Sequence, residues 1–190
     1  MIDERSEDGT GWAQFSDDRK LRYRLARALT ELGRTWLAAG SLERPDRVVF
    51  VMLNPSTADA FKLDPTVRRC VQFAQRWGAD VLEVVNLFAL RSPYPEDLQT
   101  AITKHEDAGA NFDNDVAIVS ACKGATRVIV AWGNHGEIQH RAITVAIMLE
   151  RHGVKLEALR LTPKTGVPMH PLARGKAYIP DSVEPIAWSP

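Results

Sequence analysis

Four short apolar runs, each halted by a polar or glycine turn and separated by segments of helical spacing, constrain this chain more than any other feature. Arg47-Val48-Val49-Phe50-Val51-Met52-Leu53 is apolar and β-branched without alternation, as in a strand buried on both faces, and it stops at Asn54-Pro55. Val81-Leu82-Glu83-Val84-Val85 stops at Asn86, Arg127-Val128-Ile129-Val130-Ala131-Trp132 stops at Gly133, and Leu156-Glu157-Ala158-Leu159-Arg160-Leu161 is the fourth run. After the first run, Asp64-Pro65-Thr66 supplies an N-cap and a first-turn proline for a helix carrying Val67, Cys70, Val71, Phe73, Ala74 and Trp77, closed by Gly78. Helical patterns over residues 111–122 and 136–151 precede the third and fourth runs. This alternation predicts an α/β fold: a three-layer sandwich with a central, mainly parallel four-stranded sheet and helices on both faces.

Upstream, residues 1–10 are charged and read as a loose arm. Trp12 to Phe15 and Lys20 to Leu25 suit a hairpin across Ser16-Asp17-Asp18, and residues 26–39 suit a helix ending at Gly40, giving an N-terminal hairpin and helix extension. One domain over residues 1–190, with its core at about 45–175, accounts for the whole chain. The 24 basic and 24 acidic residues cancel, so a polyanion partner would have to meet a local basic patch. Cys70 and Cys122 lie far apart and outside any CxxC pattern, against a zinc or iron–sulfur centre and in favour of a reduced, cytoplasmic setting. The acidic start lacks the apolar core of a signal peptide, and no run reaches membrane-spanning length. Nothing calls for a cofactor, and His135 and His140, five apart, do not share a helix face as metal ligands would.

In open parallel sheets, ligands bind outside the carboxyl ends of the strands. Here those ends carry Asn54, Asn86, Gly133 and the 162–174 segment, so the working site is expected where Asn54-Pro55-Ser56-Thr57, Asn86-Leu87-Phe88, Trp132-Gly133 and His170-Pro171-Leu172 converge. Each residue also has an ordinary reading: Asn54 and Asn86 as turn residues or caps, Phe88 and Trp132 as core, His170 as a loop histidine, Asp64 as a cap. Asn134-His135-Gly136 before a helix offers a phosphate-binding N-terminus or an ordinary helix start.

The set Met52-Leu53-Asn54-Pro55-Ser56-Thr57-Ala58-Asp59, Val85-Asn86-Leu87-Phe88, Ala131-Trp132-Gly133 and His170-Pro171-Leu172 resembles a bacterial and phage family catalogued as a domain of unknown function, over about residues 48–172. The same motif order resembles the uracil-DNA glycosylase superfamily. That resemblance implies a uracil-DNA glycosylase-like fold in which Asn54-Pro55 holds the attacking water, Asn86 reads a flipped base and His170 sits in the late His-Pro turn. Two departures stand out: Met52-Leu53 replaces the usual glycine, and Leu172 replaces the serine of the His-Pro-Ser turn. Ser56 also stands where uracil-selective members carry a tyrosine that excludes bases with a group at pyrimidine C5.

The expectation is therefore a monofunctional DNA glycosylase acting on DNA that contains a modified base, with a bulky C5-modified cytosine of phage DNA as the proposed target and antiviral defence as the consequence. Asn54, His170 and Asp59 are the catalytic candidates, with Asp59 and Asp64 as a carboxylate pair that helps activate water. Asn86, Phe88 and Ser56 are the base-binding candidates, Phe88 by stacking. Leu172 is a wedge for the gap left by a flipped base, and Arg174, Lys164 and Arg91 lie in a basic rim for phosphates. A monomer without a metal completes the reading. The alternatives are a free nucleotide or nucleoside hydrolase and a non-catalytic module that binds a modified base.

Overall fold

The computed structural model describes residues 1–39, 43–104, 106–133 and 139–190. The amino-terminal residues expected as a loose arm open the sheet instead: β1 (Ile2–Arg5) pairs antiparallel with β2 (Gly11–Phe15), Ile2 opposite Phe15 and Arg5 opposite Trp12. Most β1 side chains face solvent, so the strand has no apolar alternation to betray it, and backbone pairing holds it. Its turn is locked by Ser6, whose hydroxyl accepts from the Gly11 N–H at 2.7 Å. The hairpin from β2 to β3 (Arg22–Ala28) forms across Ser16-Asp17-Asp18 as expected. Helix α1 (Glu31–Ala39) begins five residues later than its composition suggests, because Ala26 and Ala28 are held in β3 by pairing with a neighbouring strand.

The chain then follows the alternation anticipated for it: β4 (Arg47–Met52), α2 (Pro65–Arg76), β5 (Val81–Asn86), α3 (Pro95–Thr103), α4 (Phe112–Cys122), β6 (Arg127–Val130), α5 (Gln139–Arg151) and β7 (Leu156–Ala158), with a last strand β8 (Ile186–Trp188). Neither α3 nor β8 was expected. Among the described residues the sheet has eight strands rather than four, in the order β1-β2-β3-β5-β4-β6-β7-β8. Its centre, β5-β4-β6-β7, is the anticipated parallel set, while β3 and β8 add antiparallel on either side. The architecture is thus an α/β fold on one mixed sheet with a parallel core.

Alternate residues of β4 feed two cores. Val49 and Val51 point to the face covered by α3, α4 and α5, where Leu98, Ile118, Val145 and Leu149 pack. Val48, Phe50 and Met52 point to the face covered by α2, through Val67, Cys70 and Phe73, and by the carboxyl-terminal segment through Leu159 and Ile179. Asp64 caps α2 by accepting from the Val67 N–H at 2.8 Å, and Pro65 opens it. On α1, Gly33 lets the helix close on the sheet: a Cβ there would come within 2.1 Å of the Asp80 carbonyl oxygen.

A buried ionic cluster interrupts the apolar central strands. Glu83 on β5 is buried, and its two carboxylate oxygens accept from Arg24 on β3 and Arg47 on β4, each at 2.6 Å. Arg47 also donates to the Ala121 and Lys123 carbonyls, so α4 is tied to the same cluster.

Both cysteines are buried, Cys70 under α2 and Cys122 at the end of α4, and burial raises both thiol pKa values. The native protein should therefore leave both thiols unlabelled by a thiol-reactive chromophore over hours at pH 8, and guanidinium should release two equivalents. Fast native labelling of either residue would contradict this burial. Among the described residues, no helix is long and apolar enough to cross a membrane.

Candidate functional site

The parallel register delivers polar residues to one edge. Met52 at the end of β4 lies opposite Asn86 at the end of β5, which sets Asn54 just beyond both; Val51 lies opposite Val130, which sets Trp132 at the same edge. From β4 the chain turns to β5 on one side and then crosses to β6 on the other, so β4 ends at the point where the winding reverses. Such a reversal opens a crevice between diverging loops. A cavity of about 200 Å³ lies there, lined by Asn54, Ser56, Asp64, Asn86, Trp132 and His170 together with Arg22. That volume falls below the roughly 300–1,000 Å³ of pockets for drug-sized ligands and suits a single small ring.

The turn after β4 is braced against the loop after β5. The Asn54 side-chain NH2 donates to the carbonyls of Pro55, Leu90 and Ser92 at 3.1–3.4 Å, and the Ser92 N–H donates to the Pro55 carbonyl at 2.9 Å. Three carbonyl partners identify the nitrogen end of this amide. Its Oδ1 is the end left to accept from a ligand or a water.

Asn86 is buried, and its Oδ1 accepts from the Arg22 guanidinium at 3.3 Å. Behind it, the wholly buried Asn114 of α4 donates through Nδ2 to the carbonyls of Asn86 and Leu87, both at 3.1 Å, which fixes the backbone where β5 ends. His170 arrives from the far end of the chain. The Gly133 N–H, at φ +79°, donates to the Pro168 carbonyl at 3.0 Å and so fastens the late segment to the end of β6. The His170 Nδ1 accepts from the Leu172 N–H at 3.1 Å; in the neutral ring the proton is then on Nε2, which becomes a donor.

Arg22 was not among the residues singled out in the sequence. It is 2% exposed, donates to the Ala58 carbonyl at 2.8 Å and to Asn86, and its Nε has no partner among the described residues. Burial pulls its pKa down to about 10, with the Asp64 carboxylate opposing the shift and Arg91 and Arg27 adding to it. It reaches the cavity because β3 runs antiparallel to β5, Leu25 opposite Val84, which brings the amino end of β3 to the carboxyl edge of the parallel strands. The one sequence signal was the crowding of Arg22, Arg24 and Arg27 in a strand whose other residues are apolar.

The remaining candidates divide. Ser56 lines the cavity. Asp59 does not: its carboxylate accepts from the Phe61 and Lys62 N–H groups at 2.9 and 2.8 Å and shapes a turn. Phe88 is buried in the core beneath α3 to α5 rather than facing the cavity. Leu172 is half-buried beside His170, and Lys164 and Arg174 are exposed along the same late segment. Arg91 is engaged by the fold, over the Phe15 ring at 4.8 Å and donating to the Arg19 carbonyl, with its pKa lowered by burial and by Arg19. Asn134-His135-Gly136 lies outside the described residues. Next to the cavity and sharing Ser92 with it is a wide groove lined by Asp17, Asp18, Asp97, Asp107 and Asp113. Among the described residues, no group of three His, Cys, Asp or Glu side chains is placed to hold a metal ion.

Fold and site together define an α/β protein with a small polar cavity at the switch point of a parallel sheet. Residues 22–172 match the model of the family described as a protein of unknown function, DUF1643, and the chain belongs to that family. The match begins at Arg22, so it takes in the antiparallel strand β3 as well as the four motifs. No curated protein and no solved structure matches the chain.

Proposed function

We propose that the chain is a DNA glycosylase that hydrolyses the N-glycosidic bond of a flipped, modified pyrimidine and leaves an abasic site. The observation that carries this reading is the convergence of Asn54, Asn86 and His170, from three distant segments, on one cavity sized for a single ring. Breaking the bond needs a water on the sugar side and donors on the base side, where negative charge gathers. The Asn54 Oδ1 supplies the acceptor that orients a water, and the His170 Nε2–H supplies a donor for a base oxygen. Asn86 presents its amide NH2 to the polar edge of the base, its oxygen being held by Arg22. With Ser56 where a tyrosine gate would stand, the site admits a C5 substituent; a sugar attached at C5, too large for the cavity, would extend through its mouth. The exposed Lys164 and Arg174 and the half-buried Leu172 are the proposed DNA contacts, and phage DNA with modified cytosines is the proposed target.

A second reading, hydrolysis of free nucleosides in the same cavity, is favoured by the acidic groove that borders it, since Asp17, Asp18, Asp97, Asp107 and Asp113 repel a phosphate backbone on that side. Both are tested by incubating the protein with oligonucleotides carrying ordinary, uracil and glucosylated hydroxymethylcytosine bases, and with the matching nucleosides, then assaying abasic sites and released base. Abasic sites that disappear in Asn54→Ala are the expected result. Base released from nucleosides alone would favour the second reading, and no release from any substrate would defeat both.

A further inference from the structure

Among the described residues, no carboxylate contacts the buried Arg22 guanidinium. Within the described residues two of its five N–H groups are engaged, both by neutral oxygens, and its buried Nε has no partner there, although the side chain lines the cavity. Asp64 and Asp59 act on it only from a distance. Arg24 and Arg47 both contact Glu83, whereas Arg27, also buried on β3, donates to the Ala26, Asp59 and Lys62 carbonyls and lies away from the cavity. An enclosed guanidinium left with neutral partners is costly to fold around, and of these arginines Arg22 is the one that lines the cavity, where a ligand can complete it.

We propose that Arg22 is the catalytic cation of this site, the group that receives the negative charge of the departing base. The inference rests on the glycosidic reading above. As the bond from C1′ to the base nitrogen breaks, its electron pair stays with the base and spreads from that nitrogen onto the carbonyl oxygens. A water oxygen forms the new bond to C1′, and the proton it releases passes to solvent, from which the base anion is neutralised. Arg22, fixed by Ala58 and Asn86 and kept from water, is preorganised toward the charge that appears. The guanidinium remains protonated throughout and needs no proton transfer, which complements the donor supplied by His170.

The test uses the full chain with Arg22→Met and Arg22→Lys in two arms. In the binding arm, thermal unfolding is followed with free uracil and with 5-fluorouracil, whose ring fluorine makes the anion easier to form. Wild type should be stabilised by both and more by 5-fluorouracil. Arg22→Met should melt no lower than wild type without ligand, because an unpaired charge has been removed, yet gain nothing from either base; Arg22→Lys should keep part of the gain. In the excision arm, Arg22→Met should lose about 10²-fold or more on uracil oligonucleotides and much less on 5-fluorouracil oligonucleotides, whose leaving group needs less help. If Arg22→Met melts lower and still binds both bases as wild type does, Arg22 is structural and the proposal falls. Equal losses on the two oligonucleotides also overturn it, while the glycosylase reading survives. If the binding arm succeeds and no oligonucleotide is cut, the role of Arg22 toward an anionic base stands and the glycosylase reading falls.

Discussion

Replacing Glu83 with leucine should cost about 3–5 kcal/mol of folding free energy, because it leaves the Arg24 and Arg47 guanidinium groups without their shared carboxylate. Glu83 is 1% exposed on the central strand β5, while the Arg24 and Arg47 side chains are 19% and 10% exposed, so water takes over only part of the lost contacts. At roughly 2–4 °C per kcal/mol for a domain of 150–250 residues, melting should fall by about 10 °C. The cluster is an ionic solution to a packing problem rather than a source of net stability. Changing Arg24, Glu83 and Arg47 together to apolar residues of similar length should therefore recover most of the loss. Denaturant titration of the single and triple variants decides the matter; a single change costing under about 1 kcal/mol would mean that the guanidinium groups reach solvent or other partners.

The second large effect is expected at His170. Loss of one donor aimed at developing negative charge slows acyl-transfer enzymes by about 10²–10³-fold, and His170→Ala should slow base release by a similar factor. His170→Gln, which keeps a terminal N–H, should recover part of it. Folding should change little in either variant, since the ring is only half-buried and the segment is fastened separately through Pro168 and Met169. Single-turnover release on the best oligonucleotide, with melting measured alongside, is the check. Full activity in His170→Ala would remove this residue from the mechanism and leave Arg22 as the sole charge-stabilising group on the base side.

Much of the parallel core was legible because burial on both faces demands an unbroken apolar run. The segments around β4, β5, β6 and β7 therefore announced themselves, and so did the cap and proline that start α2. Strand β1 carried no such signal: an edge strand is held by backbone pairing, which leaves its side chains free to be polar. The short β8 presents only Ile186, Ala187 and Trp188, and Trp188 packs T-shaped on Trp132, ring centroids 5.3 Å apart. Helix α1 was placed too early because helix-forming composition over residues 26–28 yields to pairing with β5.

The sequence by itself determined the alternation of strands and helices, and with it the edge at which Asn54, Asn86, Trp132 and His170 would gather, because strand ends and local turn chemistry are properties of neighbouring residues. Which of the candidates meet depended on contacts between segments far apart in the chain. The fold turned Phe88 into the core, used the Asp59 carboxylate to close a turn, and brought Arg22 into the cavity across 64 residues of chain to touch Asn86. The physical reason is that the direction of β3 is set by pairing with β5, a long-range choice. An antiparallel neighbour offers its beginning where the parallel strands offer their ends.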